Sequence, residues 1–205
     1  MKNIVVALGS VLLFSFSAVA DDEAPRMETF LGYTFKRANS ATNIPSFSAN
    51  GGSGQFAYNF GTWIGAVVDL GAVHNGNIHN IQLDSTVANA LVGPRVSMRK
   101  WSRVTPYFQT LFGEVYATTS TSVPALALFP DTPFGFNLRA TRQATAFALT
   151  AGGGLDIKIS KHVSFRPIQL EYFRTDLHDL RAATDNSQNN LRYSAGFNFT
   201  FAEAQ

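Results

Sequence analysis

The run from Asn190 to Phe201 constrains this chain most. Tyr193, Ala195, Phe197, Phe199 and Phe201 occupy its odd positions, and Arg192, Ser194, Gly196, Asn198 and Thr200 its even ones. Successive side chains of a β-strand point to opposite faces, so this strand has one greasy face and one wet face. A soluble sheet can show the same alternation with the greasy side turned in. The choice therefore rests on the rest of the chain, where the pattern recurs in seven earlier segments.

The first 20 residues read as a secretory signal peptide. Lys2 supplies the positive start, Ile4 to Phe16 the apolar stretch, and Ala18-Val19-Ala20 a small-residue cleavage site. Residues 21–205 are then expected to form one domain. Without Lys2 the chain keeps 15 basic against 14 acidic residues, and no run of Lys or Arg exists. That near balance argues against a nucleic-acid partner. The absence of cysteine excludes a disulfide scaffold and a thiolate metal site. No later apolar run is long enough for a membrane helix, so a membrane crossing here requires a closed barrel, whose backbone groups are all paired between strands.

Eight segments read as strands: Met27–Lys36, Gly54–Phe60, Trp63–Val73, Thr86–Met98, Pro106–Ala117, Ala146–Ile159, Ser164–Thr175 and Asn190–Phe201. Short turns near Gly61-Thr62, Arg99–Thr105 and Ser160–Val163 alternate with long connections at Arg37–Ser53, His74–Ser85, Thr118–Thr145 and Asp176–Asn189. Such alternation is that of an eight-stranded antiparallel up-and-down transmembrane β-barrel of the bacterial outer membrane, long loops outside and both chain ends periplasmic.

The faces follow from parity. In the sixth segment Phe147, Leu149, Ala151, Gly153, Leu155 and Ile157 oppose Thr150, Gly152, Gly154, Asp156 and Lys158. In the third, Ile64, Ala66, Val68 and Leu70 oppose Gly65, Val67 and Asp69. Eight strands enclose little space, while large rings such as Tyr33, Phe56, Tyr58, Trp101, Tyr107 and Tyr172 sit near strand ends, as interfacial girdles do. The apolar set is therefore expected to face lipid and the polar set the lumen. In the fifth segment a lumenal Glu114 would bring Phe108 and Phe112 inside and turn Gln109 to lipid, so a bulge is expected there. In the seventh, parity puts Gln169 and Glu171 inside and Arg166 on the outer face near the periplasmic rim.

Gly32-Tyr33-Thr34-Phe35, Gly93-Pro94-Arg95, Thr105-Pro106-Tyr107-Phe108, Gly152-Gly153-Gly154-Leu155-Asp156, Arg166–Phe173 and Asn189–Ser194 recur in an order and spacing that span nearly the whole mature chain. On these segments the sequence resembles the small outer-membrane β-barrel family of the OmpA transmembrane-domain type, and is similar to stand-alone barrels of acidobacterial genomes. The resemblance implies delivery by the barrel-assembly machinery, with outer-membrane lipid as surroundings, and implies no catalytic residues. In such proteins the last strand carries the assembly signal, here Tyr193, Phe197, Phe199 and Phe201. The sequence departs from the pattern in that Ala202–Gln205 follow the last aromatic. No peptidoglycan-binding domain is expected after the barrel.

Counting up from the short turns puts Asp69, Arg95, Glu114, Glu171 and Arg192 at one height and Glu28, Asp156 and Lys158 lower. Neither tier is a ring of one sign such as ion selectivity uses. These groups are expected to pair across a closed lumen, Asp69 with Arg95 first; the alternative is that each charge sits in trapped water. His74, His79 and His178 fall in loops without the convergent spacing of a metal site, and Gly152–Gly154 precede no helix that could bind phosphate, so no metal or cofactor is expected. The third long connection is apolar for a loop, with Leu126, Leu128, Phe129, Phe134 and Phe136. It reads either as packing on the barrel rim or outer leaflet, or as a contact patch for a host, a neighbouring cell surface or a second subunit. A structural or adhesin-like surface barrel without enzymatic activity is the favoured function. A small solute pore and, less favoured, a lipid-modifying enzyme are the rivals.

Overall fold

The computed structural model describes residues 25–39, 46–76, 83–124, 137–176 and 187–203. Segment 1–20 (expected to be a signal peptide), His79, His178 and the apolar residues Leu126, Leu128, Phe129, Phe134 and Phe136 lie outside them. Eight strands run in chain order: β1 Pro25–Ala38, β2 Phe47–Asn59, β3 Ile64–Asn75, β4 Leu83–Ser97, β5 Val104–Pro124, β6 Asn137–Lys158, β7 Val163–Asp176 and β8 Ser187–Glu203. Each pairs antiparallel with its sequence neighbour, and β8 returns to β1 from Pro25↔Glu203 to Ala38↔Asn190, closing the barrel. Closure leaves no strand edge along the β1–β8 seam, which a lipid-embedded sheet requires.

Period-two alternation survives in every strand. Leu31, Phe56, Leu70, Phe112, Leu149, Leu170, Leu191 and Phe197 are exposed on the outer wall, whereas Glu28, Asp69, Arg95, Gln109, Asp156, Glu171 and Arg192 are buried within. The interior is not wholly polar. Val67, Leu91, Leu111, Val115, Ala148 and Phe173 form an apolar cluster inside the barrel.

The strands outrun their expected limits on the long-connection side. β2 begins at Phe47, because the polar, glycine-rich Ser48–Ser53 pair with β1 from Arg37 to Gly32. Gly51 is required there: a Cβ would run into the carbonyl oxygen of Ala72 and lie 2.7 Å from the Cα of Val73. β5 and β6 extend furthest, pairing without interruption to Pro124↔Asn137. Thr118, Thr119 and Thr121, read as loop, are β-branched residues that suit a strand.

Two expectations about phase are corrected. β5 has no bulge, since its register against β4 and β6 is continuous. Tyr107, Gln109, Leu111 and Val115 point inward, and Phe108, Phe112, Glu114 and Tyr116 point outward. The irregularity lies instead in β7, where the register shifts between Arg166 and Gln169 against β8 and between Leu155 and Ile157 against β6. Pro167 falls in that interval; a proline cannot donate to the ladder and is tolerated at a bulge. The extra residue reverses the phase and brings Arg166 into the lumen, fully buried at 0% exposure.

Candidate functional site

Among the described residues, eight charged side chains are buried: Glu28, Asp69, Asp156 and Glu171 against Lys36, Arg95, Arg166 and Arg192. They come from β1, β3, β4, β6, β7 and β8, while β2 and β5 contribute the buried amides Gln55 and Gln109. All eight strands thus feed one network. Buried charge is costly unless paired and hydrogen-bonded; seven of the eight groups are so held, and Lys36 instead lies against the Phe173 ring.

At the upper level Arg192 donates from both terminal nitrogens to Asp69, at 2.9 and 3.0 Å, and from Nε to Glu171 Oε2 at 2.6 Å. Asp69 also receives Asn89 Nδ2 at 2.6 Å and Gln55 Nε2 at 2.7 Å. Glu171 receives Gln109 Nε2 at 2.8 Å and Gln169 Nε2 at 3.0 Å. In the middle, Gln55 Oε1 accepts from Arg95 at 2.6 Å and from Arg166 at 2.9 Å. Arg95 also donates to Gln109 Oε1 at 2.9 Å. Below, Arg166 grips Asp156 through two bonds of 2.6 and 2.9 Å and donates to Gln169 Oε1 at 2.8 Å. Glu28 accepts from Asn59 at 2.7 Å, from Asn198 at 2.8 Å and from Arg99 at the short-turn rim. It lies 3.9 Å from Arg95.

Aromatic faces carry the remaining cationic surface. The Arg166 guanidinium lies 4.3 Å from the Phe30 ring centroid and 4.4 Å from that of Tyr107, and Arg95 lies 4.5 Å from the Tyr107 centroid. Lys36 sits 3.7 Å above the Phe173 ring. Guanidinium and ammonium groups gain most from a ring face when water is excluded.

The structure brings together Asp69, Arg95, Asp156, Glu171 and Arg192 of the expected group, with different partners. Asp69 pairs with Arg192 rather than Arg95. In the β3–β4 register Asp69 faces Leu91 and Arg95 faces Gly65, four residues lower, which is roughly 13 Å of strand. Glu114 is exposed on the outer wall. It faces Phe147, the residue opposite Asp176 at the end of β7, so its carboxylate stands at the long-connection rim within reach of water. Lys158, the last residue of β6, is exposed at the opposite rim. Tyr107, expected in a girdle, points inward and donates its hydroxyl to Gln169 Oε1 at 2.7 Å. Parity alone missed Arg166; Pro167 two positions before Gln169 was the available signal for it. Of the β8 aromatics, Phe197 and Phe201 are exposed, Phe199 is half-buried, and Tyr193 donates to the Pro167 carbonyl at 2.7 Å. His74 lies with Nδ1 3.0 Å from Thr86 Oγ1 on the exposed side.

A closed eight-stranded barrel, apolar outside and charged within, defines a small transmembrane β-barrel. The chain belongs to the outer membrane protein beta-barrel domain family, whose model matches residues 6–203. Among solved structures it is similar to Ail, the attachment invasion locus protein of Yersinia pestis, at 17% identity and a TM-score of 0.57, over 88% of this chain and 99% of that one. It is also similar to Neisserial surface protein A, at 12% identity and a TM-score of 0.58, over 88% and 100%. Ail in complex with the heparin analogue sucrose octasulfate matches at 17% identity and 0.55, over 88% and 99%. At these identities the shared property is the barrel fold. No curated relative matches the chain. The family places the protein in the bacterial outer membrane.

Proposed function

We propose that this protein is a non-enzymatic surface-interaction barrel, with the lumen plugged and the β5–β6 ribbon presented outside the cell. The ribbon is the observation that carries the reading. Among the described residues, β6 pairs with β7 from Phe147↔Asp176 downward, and β4 reaches β5 as far as Leu83↔Thr121. Residues 137–146 of β6 therefore rise past the described part of β7, roughly 30 Å of strand. The ribbon is polar and β-branched, with Thr118, Thr119, Ser120, Thr121, Ser122, Thr141 and Thr145, and carries the cations Arg139 and Arg142. A ribbon of that composition suits water, beyond the bilayer. The segment joining its strands, with Leu126, Leu128, Phe129, Phe134 and Phe136, supplies an apolar contact surface. The chain ends then lie in the periplasm, and the aromatic side chains of β8 serve recognition by the barrel-assembly machinery. The network from Glu28 to Arg192 serves as the plug.

Ail, which shares the fold, was crystallised with a heparin analogue, and two arginines on the ribbon suit a sulfated or acidic ligand of a cell surface. The test is binding of the barrel in nanodiscs to a heparin-coated surface, compared with a form whose ribbon is cut back to the level of Phe147. Binding that is lost on trimming supports the reading, and binding that is unchanged overturns it. In a planar bilayer the intact protein is expected to show no steady conductance; long-lived open channels would favour the solute-pore reading.

A further inference from the structure

At the short-turn mouth the barrel holds a cavity of about 770 Å³. Its floor is Glu28 and Asp156, and its walls come from the β2–β3, β4–β5 and β6–β7 turns. The floor is closed. Arg166 takes both oxygens of Asp156, and Asn59, Asn198 and Arg99 take those of Glu28, so the cavity ends at the charge network. Among the described residues its walls carry Arg99, Lys100, Lys158 and Lys161; Arg99 and Arg166 already pair with the two floor carboxylates, and Arg95 lies behind Glu28, which leaves the lysines in excess. Lys100 and Lys158 are exposed and have no ion-pair partner among the described residues. The hydroxyls of Thr62, Ser102, Thr105 and Ser164 line the same space.

We infer that this vestibule is a binding site for a phosphate group. The excess of positive charge selects an anion, and lysine ammonium groups beside several hydroxyl donors suit a group that only accepts hydrogen bonds. The volume is that of a small-ligand site. Trp63 and Trp101 stand in the wall, with Trp101 54% exposed at the lip. Amphipathic indoles settle at headgroup level, which puts the mouth where lipid phosphates are concentrated. The phosphate can come from a lipid headgroup of the adjoining leaflet or from a soluble phosphate, and the same lysines would hold either.

The chain has two tryptophans, and both lie in this wall, so intrinsic fluorescence reports on the site. The full barrel is titrated in maltoside micelles, which carry no phosphate. One arm adds inorganic phosphate at constant ionic strength; the other adds phosphatidylglycerol against an uncharged diacylglycerol. A saturable change in either arm is expected and identifies the source. Lys100→Glu with Lys158→Glu should weaken it about tenfold, which is about 1.4 kcal/mol, since two attractive ammonium groups become repulsive carboxylates. Lys100→Arg with Lys158→Arg should retain it. Heat-modifiable migration on gels checks folding, and Lys158→Gln alone is read in the same way if the double variant does not assemble. Emission that follows ionic strength only, or a charge-reversed protein that titrates as wild type, would overturn the inference.

Discussion

Arg166→Met probes the charge network at its most committed pair. Arg166 makes both strong bonds to Asp156, at 2.6 and 2.9 Å, and without them that carboxylate keeps, among the described residues, Asn198 Nδ2 at 3.4 Å. The amides around Arg166 suffer less. Gln55 Oε1 still holds Arg95, and Gln169 Oε1 still holds the Tyr107 hydroxyl. Methionine keeps the apolar stem over Phe30 and Tyr107, so the loss concentrates on one buried, unpaired charge. Breaking such a pair costs about 3–5 kcal/mol, whereas removing both members is often close to neutral. Arg166→Met should therefore destabilise the barrel by about 3–5 kcal/mol, and adding Asp156→Asn should recover most of that. Urea titration of the refolded protein in micelles, followed by tryptophan emission and heat-modifiable migration, gives all four corners of the double-mutant cycle. A single-variant cost below about 1 kcal/mol, or strictly additive effects, would refute the reasoning and mean that water already carries the charge of Asp156.

Two further outcomes test the wall of the barrel. Gly51→Ala should cost about 1–3 kcal/mol by forcing β2 off the Ala72–Val73 backbone, while Gly61→Ala, whose added methyl would meet nothing within 4 Å, should leave the same urea midpoint nearly unchanged. Leu31→Arg, which places a cation on the outer wall at mid-strand of β1, should cost about 2–4 kcal/mol in lipid vesicles; a stability equal to wild type would show that Leu31 does not face the bilayer interior.

The barrel was legible because its code is period two, and a period read correctly at Ile64–Leu70 or Tyr193–Phe201 determines both faces at once. Strand limits were less legible. Ser48–Ser53 look like loop by composition, and their cross-strand partners make them strand, whereas Thr118–Thr121 carry branched side chains that suit the strand they extend. The network was half legible. Parity alone puts Asp69, Glu171 and Arg192 inside, but partner choice depends on register between strands distant in sequence, which parity does not contain. Glu114 misled because a carboxylate in a transmembrane segment invites an inward reading, yet at a rim it meets water on either face. Arg166 was hidden by a single inserted residue, marked by Pro167.

The seam between β1 and β8 closes last in any chain-order assembly, and the network makes that step self-checking. Sliding β8 by two residues would keep Phe197 and Phe201 outward and would satisfy the backbone ladder almost as well. It would also carry Arg192 roughly 7 Å from Asp69 and move Asn198 away from Glu28, leaving buried charges without their partners. The wet face thereby does for register what the greasy face cannot: it rejects a nearly correct closure and leaves one alignment of the last strand energetically tolerable.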